Sequence, residues 1–390
     1  MPRPRVGGAG GGRKVQKAMS GEAGGLPGLD PALDRAPIAH ARWGRRSSER
    51  PETVSSGDRG GATYAALDLG TNNCRLLVAR PAGDGFRVID AFSRIVRLGE
   101  GVSLSGRLSE AAMDRAVGAL AICRAKMKNR GVTRARLIAT EACRAAGNGA
   151  EFHARVAKEL GLVLEVIDRE TEACLAATGC TPLIDPKADG AVLFDIGGGS
   201  SEVVRLDRSQ TMRRGPPLPQ IRGWISLPTG VVTLAERHDG INVTRQSYEV
   251  MVAEVGALLA PFVRAHGGEG LGGFHMLGTS GTVTTIAGVH LNLKRYDRSR
   301  VDGCWMSGAE INAVVERLLA MTYDERVASP CIGAERADLV LAGCAILEAI
   351  RRAFPSPRLR VADRGLREGM LVQMMREDGA WGGGNQAAAG

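Results

Sequence analysis

Two stretches decide the fold: YAALDLGTNNCRLLVAR at residues 64–80 and AVLFDIGGGSSEVVRL at residues 191–206. Each contains an apolar run, a turn of the form Asp-x-Gly and a second apolar run. The apolar runs predict buried strands, and Asp followed by Gly at a strand end predicts a tight hairpin into the next strand. Asp68 of the first stretch recurs as Asp195 of the second. The recurrence predicts a duplicated unit whose two hairpins face one ligand.

The two turns carry the groups that a phosphate site needs. Glycines leave backbone N–H groups uncovered, so phosphate oxygens can approach them without a side chain in the way. Short hydroxyl and amide side chains add further donors. The predicted phosphate-binding residues of the two turns are Gly70, Thr71, Asn72, Asn73, Gly197, Gly198, Gly199, Ser200 and Ser201. An Asp-Gly turn can also serve only to reverse the direction of the chain. Because both turns share the Asp, the Gly and the polar cluster, a function for the pair is favoured.

Length and composition are those of a two-domain globular protein with irregular ends. The chain has 390 residues, 44% of them hydrophobic, which is enough for two cores of ordinary domain size. Residues 1–61 are rich in Gly, Pro, Arg and Ser and carry much of the net charge of +9, so they predict a disordered basic extension. Such an extension could attract polyanions or serve only as a solvated linker. Residues 379–390 are rich in Gly and Ala and predict a flexible tail.

Several classes of protein are excluded by the sequence. The basic start is not followed by an apolar core, so no secretory signal is predicted, and no run of about eighteen apolar residues predicts a membrane span. The eight cysteines include no CxxC pair and are predicted to be reduced core residues. The histidines lack any spacing that suits zinc. The sequence therefore predicts a soluble, cytoplasmic protein with no membrane partner.

The elements between the two turns follow one order. Strands are predicted at 75–79, 86–94, 136–139 and 164–167. Helices are predicted after an N-cap at Ser109, over 149–160 and from about Glu170. With the strand that precedes the first turn, this α/β order is strand, strand, strand, helix, strand, helix, strand, helix. It is the order of a ribonuclease-H-like half-domain and not of a nucleotide-binding βαβ repeat.

A third glycine turn occurs in the second half of the chain, in FHMLGTSGTVTTIAG at residues 274–288. A strand, a glycine turn and a helix N-terminus together predict an anion site. The predicted phosphate-binding residues here are Gly278, Ser280, Gly281 and Thr282. The chain contains no GxxxxGK[ST] motif and is therefore not a P-loop enzyme.

Six motifs, in this order, resemble the exopolyphosphatase and guanosine pentaphosphate phosphohydrolase family: DLGTNNCRLL, IATEACRAAGN, ETEACLAATG, LFDIGGGSSEVV, LGTSGTVTT and LREGML. The resemblance implies two ribonuclease-H-like domains of the actin, Hsp70 and sugar-kinase superfamily, with a phosphate cleft between them. It implies domain I at 62–185 and domain II at 186–363, with a last helix in 364–378 packing back on domain I. Longer family members carry further domains, so the resemblance implies a short two-domain form for this sequence, and a homodimer is expected.

The resemblance also implies site residues. The family's catalytic Glu falls on Glu172, which would act as general base, although positions 171 and 174 depart from the family's Glu-Glu-Ala-Arg-Leu stretch. Arg144 and Asn148 match family positions near the phosphate path. The expected cofactor is Mg²⁺ or another divalent cation such as Mn²⁺, with Asp195, Glu202 and Asp68 as candidate ligands. Arg336 and Asp338 also match the family pattern, but a helix-surface ion pair explains them equally well, so they are left out of the site.

The predicted activity is removal of the terminal phosphate from inorganic polyphosphate by a water that Glu172 activates. Guanosine pentaphosphate is the alternative substrate, because it presents a terminal phosphoanhydride to the same groups. A kinase of the same superfamily and a non-catalytic phosphate binder stay open. No acceptor-sugar motif favours a kinase, and the retained carboxylates disfavour a pure binder. A nucleic acid is not the expected partner.

Overall fold

In the computed structural model, residues 61–210, 214–267 and 271–381 are described. The predictions for residues 1–60 and 382–390 lie outside these ranges. The first half of the chain forms a five-stranded sheet from β1 (Tyr64–Leu69), β2 (Asn73–Ala82), β3 (Gly85–Ile95), β4 (Arg134–Ala139) and β5 (Glu165–Val166). Its helices are α1 (Val102–Ser105), α2 (Glu110–Asn129), α3 (Glu141–Ala145), α4 (Gly149–Leu160) and α5 (Arg169–Cys180).

The second half forms a six-stranded sheet. Its strands are β6 (Gly190–Ile196), β7 (Ser201–Gln210), β8 (Leu218–Leu227), β9 (Phe274–Thr279), β10 (Trp305–Ser307) and β11 (Arg358–Ala362). The helices that follow are α6 (Val231–His238), α7 (Arg245–His266), α8 (Gly281–His290), α9 (Arg298–Val301), α10 (Gly308–Ala320), α11 (Tyr323–Ala328), α12 (Val340–Ala353) and α13 (Leu366–Glu377).

The two sheets share one topology, which confirms the predicted ribonuclease-H-like fold. The strand order is β3-β2-β1-β4-β5 in the first sheet and β10-β11-β9-β6-β7-β8 in the second. In each, three antiparallel strands are followed by parallel neighbours on the other side of the first strand. The short antiparallel strand β10 at the edge of the second sheet has no counterpart in the first.

Each sheet is covered by helices that bury its apolar side chains. Leu67, Leu76 and Phe152 belong to a core between the first sheet and helices α2 and α4. Ser109 caps α2 as predicted, because its side chain accepts a hydrogen bond from Ala112 N at 3.2 Å. A larger core lies between the second sheet and helices that include α7 and α12. Among the described residues, no helix combines the length and apolar character that crossing a bilayer requires.

Helix α13 packs on the remaining face of the first sheet, although it follows the last strand of the second. Met370 and Met374 join Tyr64 and Leu175 in one buried cluster. The crossing of α13 with α5 depends on glycine, because a Cβ on Gly369 would lie 1.9 Å from the Leu175 carbonyl oxygen. This contact places the N-terminal turn of α5 beside the cleft. The domain limits predicted from the sequence stay a prediction.

Candidate active site

The two glycine turns face each other across a cleft between the sheets. A Cβ on Gly198 would lie 2.9 Å from Thr71 Cβ, and a Cβ on Gly199 would lie 2.8 Å from Thr71 Oγ1. The turns are thus close enough that only glycine fits at these two positions. Between them is a cavity of about 120 Å³. The predicted site residues that line it are Asp68, Gly70, Thr71, Asn72, Asn73, Glu172, Asp195, Gly197, Gly198, Gly199, Ser200, Glu202, Ser280, Gly281 and Thr282.

Four predicted phosphate-binding residues do not line the cavity: Arg144, whose contacts are described below, and Asn148, Ser201 and Gly278. The Asn148 amide is buried and exchanges two hydrogen bonds with the backbone of Leu108, at 2.8 and 3.0 Å. Ser201 Oγ donates to the Thr229 carbonyl at 2.8 Å. Gly278 lies within β9, where a Cβ would meet the Phe194 ring at 2.5 Å. In the structure these residues support the fold around the cavity and do not line it.

Four of the carboxylates that line the cavity have raised pKa values. Glu202 is buried and the other three are half-buried, and removal from water raises the pKa of each. Asp195, near the end of β6, has a pKa raised to about 6, and its neighbour across the β6–β7 hairpin, Glu202, has a pKa raised to about 7. The charge of Asp195 adds to the effect of burial on Glu202, while hydrogen bonds from Ser226 and Ser200, both at 2.8 Å, oppose it. The pKa of Asp68 is also raised by burial, although Arg75 opposes the shift. The cluster therefore favours binding of a proton or a cation.

The fourth carboxylate, Glu172, lies on the first turn of α5. Asp168 caps this helix by accepting a hydrogen bond from Thr171 N at 2.7 Å. Burial raises the pKa of Glu172 well above its usual value, and the charge of Glu202 adds to the effect. Arg144 opposes the shift by donating from Nη2 to Glu172 Oε2 at 2.8 Å. A carboxylate that faces the cavity with a raised pKa has the position and proton affinity of a general base.

Arg144, the predicted phosphate ligand, donates to protein partners instead. Its Nε and Nη2 donate to Glu141 Oε2 at 3.1 and 2.8 Å, and its Nη1 donates to the Ile167 carbonyl at 2.7 Å. With the bond to Glu172, every nitrogen of the guanidinium has a protein acceptor. The structure therefore gives Arg144 the role of holding the carboxylates around it.

Two arginines that were not assigned to the site supply its positive charge. A Cβ on Gly281, at the N-terminus of α8, would lie 3.8 Å from both Arg75 Nη2 and Arg336 Cζ. Within the described residues neither guanidinium forms a salt bridge, and Arg336 Nη1 lies 3.4 Å from Thr285 Oγ1. Burial lowers the pKa of Arg336, and the like charge of Arg75 lowers it further. Two converging guanidiniums at a helix N-terminus form a site for an anion such as phosphate.

The sequence contains signals that could have assigned these two arginines to the site. Arg75 follows Asn73 by two residues on β2, so the two side chains share one face of the strand. For Arg336 and Asp338 the sequence allows either the family pattern or a helix-surface ion pair, and the structure does not show an ion pair between them. Arg336 lines the cavity, whereas Asp338 forms a salt bridge with Arg97 of the first half at 2.9 Å. Thr140 and Glu141, at the start of α3, also line the cavity and were missed.

A second set of contacts joins the two halves beside the cavity. Arg97 donates to both carboxylate oxygens of Asp338, at 2.9 and 3.0 Å, and to the Glu335 carbonyl at 3.1 Å. Glu236 of α6 accepts from Gly101 N at 2.9 Å and from Ser103 Oγ. These contacts border a second cavity of about 520 Å³ that shares Asn72 and Leu339 with the first. They hold one edge of the cleft closed.

The residues present suit a hydrated divalent cation better than a fully protein-bound one. Among the described residues, no group of three or more Asp, Glu, His or Cys side chains is arranged to hold a metal ion. Mg²⁺ is commonly held by one or two carboxylates, with waters and substrate phosphates completing its shell. Asp195 and Glu202 could supply such carboxylates. Asn72 Oδ1 and Asn73 Oδ1 are buried, have no hydrogen-bond partner in the described part of the chain, and could accept hydrogen bonds from coordinated water.

Comparison with known proteins shows that this chain is similar to the members of one family. A sequence model described as the Ppx/GppA phosphatase family matches residues 77–378. "Exopolyphosphatase 2" of Mycobacterium tuberculosis is 28% identical over 325 residues, which cover 80% of this chain and 98% of that protein. The crystal structure of an Aquifex aeolicus Ppx/GppA family member is 28% identical, with a TM-score of 0.66 over 81% of this chain and 98% of that one. An exopolyphosphatase from Cytophaga hutchinsonii, 24% identical, has the same fold, with a TM-score of 0.73 over 81% of this chain and 98% of that one.

Proposed function

Because the chain belongs to the Ppx/GppA phosphatase family and is a phosphoanhydride hydrolase, we propose that it is an exopolyphosphatase, which removes the terminal phosphate from inorganic polyphosphate. One observation carries the proposal. Two guanidiniums that form no salt bridge with any described residue, Arg75 and Arg336, converge on the N-terminus of α8 in the same cavity that Glu172 lines. This arrangement places anion-binding groups and a candidate base around one small space.

In the proposed mechanism the substrate's phosphates lie against Arg75, Arg336 and the glycine turns. Backbone N–H groups and cations there stabilise the charge that spreads over the oxygens of the transferring group, which is the main requirement of phosphoryl transfer. Glu172 Oε2 is held by Arg144, so Oε1 is left to orient a water. Glu172 then accepts a proton from that water as its oxygen bonds to the terminal phosphorus and the bridging P–O bond breaks.

The proposed cofactor is Mg²⁺, or Mn²⁺ in its place. Asp195 and Glu202 would hold the ion, with Asp68 as a third candidate, and the ion would neutralise phosphate oxygens when bound. The observation that supports this assignment is the raised pKa of Asp195 and Glu202, which burial causes in the first place and the charge of a neighbouring carboxylate increases.

The proposed setting is the cytoplasm, and the proposed assembly is a homodimer. All eight cysteines are free, as a reducing compartment requires, and most of them are buried. The homodimer rests on the family resemblance of the sequence. Size-exclusion chromatography with light scattering tests the assembly, since a monomeric mass at micromolar concentration contradicts it.

The activity is tested by phosphate release from long-chain polyphosphate, guanosine pentaphosphate and ATP in parallel, with Mg²⁺ present. Wild type is expected to prefer polyphosphate. Glu172→Gln is expected to lose activity by about 10²-fold or more, because a carboxamide cannot accept the proton. Glu170→Gln, an exposed position on the same helical turn, is the matched control and is expected to keep full activity.

Other outcomes of the assay have defined meanings. Preference for the pentaphosphate would replace the proposed substrate by the alternative. Turnover of ATP alone would favour a kinase-like activity. If Glu172→Gln released phosphate as fast as wild type, the assignment of the base would be wrong, and if wild type released none from any substrate, the proposed function would fail.

A further inference from the structure

We propose that Glu141 is a positioning residue: it holds Arg144 against the candidate base Glu172, at the expense of substrate affinity. The proposal rests on the proposed function for the identity of the base. It is carried by a chain of hydrogen bonds, Arg169 to Glu141, Arg144 to Glu141 and Arg144 to Glu172, which links the two cavity-lining carboxylates Glu141 and Glu172.

Both oxygens of Glu141 are engaged by arginines. Arg169 Nη2 donates to Oε1 at 2.8 Å and Arg169 Nε to Oε2 at 3.3 Å, while Arg144 donates to Oε2 from Nη2 and Nε at 2.8 and 3.1 Å. Burial alone would raise the pKa of Glu141, but the hydrogen bonds from Arg169 and Arg144 outweigh it, so the pKa is lowered. Glu141 is therefore a charged carboxylate without a free oxygen for a metal ion or a water.

The location of Glu141 is unusual for a side chain that binds neither phosphate nor metal. It lines the cavity, and its Cγ would lie 3.1 Å from a Cβ on Gly199, in the opposite glycine turn. A negative charge beside a phosphate path repels the substrate, and the repulsion is stronger in a partly buried cleft than in bulk water. The charge of Glu141 therefore lowers substrate affinity. A favourable contribution of this residue to the reaction must come from a step other than substrate binding.

That benefit follows from the geometry of Arg144. Glu141 and the Ile167 carbonyl hold the guanidinium from one side, so that Nη2 reaches Glu172 Oε2 at 2.8 Å and the base cannot rotate freely. Without the Glu141 carboxylate, Arg144 is free to turn toward the phosphates. Arginine forms bidentate bonds with phosphate readily, so this movement would strengthen substrate binding while it releases the base.

The test is the Glu141→Gln variant, assayed with polyphosphate of defined length. A glutamine side chain has the same size as glutamate, but its amide N–H₂ would face one of the arginine donors. The hydrogen bonds that hold Arg144 would therefore be weakened. At the same time the net charge of the cavity becomes more positive. We expect kcat to fall by about tenfold to a hundredfold, because misplacing a catalytic group costs rates of this order. KM is expected to fall as well, by about twofold to fivefold, since one repulsive charge is gone. A merely structural role would not lower both constants.

Two further variants make the result specific. Glu141→Asp keeps the charge with a shorter reach, so it is expected to keep the wild-type KM and an intermediate kcat. Glu151→Gln is the matched control: Glu151 is an exposed residue of α4 that pairs with Arg107 at 3.5 Å, and its variant is expected to match wild type in both constants. Thermal melting of each variant identifies loss of folded protein, which would lower the active concentration and leave KM unchanged.

Unchanged kcat in folded Glu141→Gln, or a higher KM, would overturn the positioning role while the proposed function stands. If wild type is inactive on every substrate, the proposed function fails separately. Titration calorimetry with tripolyphosphate then still tests whether the charge of Glu141 lowers the affinity for phosphates. Glu141→Gln is expected to bind more tightly than wild type, and equal binding would overturn this part of the proposal.

Discussion

The two hairpins that form the cavity have similar glycine turns. They differ in the charge of the residue that lies across from the Asp, on the second strand of each hairpin. Asp68 on β1 lies across from Arg75 on β2, and Asp195 on β6 lies across from Glu202 on β7. In both hairpins the partner follows the Asp by seven residues. The first hairpin therefore pairs a carboxylate with a cation, and the second pairs two carboxylates.

This difference polarises the cleft. Arg75 opposes the pKa increase of both Asp68 and Asp195, and with Arg336 it provides a positive region at the N-terminus of α8. The second hairpin pairs two carboxylates, and burial together with the charge of Asp195 raises the pKa of Glu202 to about 7. A duplicated backbone thus supplies both an anion site and a site for a proton or cation, because one cross-strand position carries Arg in one copy and Glu in the other.

The largest expected effect comes from making the first hairpin resemble the second. Arg75→Glu removes a cation and adds a sixth carboxylate to the five that line the cavity. KM for polyphosphate is expected to rise by about a hundredfold or more, because charge-assisted bonds to phosphate are replaced by repulsion. Steady-state phosphate release measures the change. Arg87→Glu, at an exposed position on β3, is the matched charge reversal and is expected to leave KM unchanged. A similar KM for both variants would contradict the polarity of the cleft.

The second prediction concerns stability and pH in the presence of a chelator. The pKa of Glu202 is raised from 4.5 to about 7 in the folded protein, so the folded state binds more protons than the unfolded state between these values. This carboxylate therefore destabilises the fold as pH rises through that window. Glu202→Gln removes the effect, and we expect it to be more stable than wild type at pH 8 by an amount on the order of 2 kcal/mol, with little difference near pH 4.5.

Urea denaturation of both proteins at the two pH values measures this difference. Asp68→Asn is the comparison within the first hairpin and is expected to give a smaller gain, or a loss, because Asp68 faces Arg75. An increase in stability that is independent of pH would show that Glu202 does not titrate in this window. Equal gains for the two variants would remove the electrostatic distinction between the hairpins.

The smallest expected effect concerns the backbone of the turns. A Cβ on Gly198 would meet Thr71 Cβ at 2.9 Å in the opposite hairpin, whereas the nearest atom to a Cβ on Gly70 is the Asn73 carbonyl oxygen at 3.5 Å. Gly198→Ala is therefore expected to cost about 1 kcal/mol in the free energy of unfolding, through the overpacking of two facing turns. Gly70→Ala is expected to cost less. Urea denaturation at pH 5 checks both, and a larger loss for Gly70→Ala would show that the hairpins do not approach as closely as described.

Much of the fold could be predicted because its signals are local. Apolar runs broken by Asp-x-Gly predicted the paired strands β1–β2 and β6–β7, and periodicity predicted α4 with the bounds that the structure has. Strands β8, β10 and β11 were not predicted, and β10 has only three residues, which are too few to show a pattern. The glycine turns of the site were found for the same local reason, since exposed backbone N–H groups depend on residue type alone.

The sequence by itself determined the duplicated hairpins, the glycine turns and the carboxylates at their ends, because each depends on neighbours within a few positions. Only the tertiary structure decided which charges meet. Arg144 reaches Glu172 across 28 residues and Arg97 reaches Asp338 across 241. Arg75 and Arg336 converge at α8 from opposite halves of the chain. A guanidinium can serve a phosphate, a carboxylate or the solvent, and its choice depends on the acceptors that folding brings within hydrogen-bond distance.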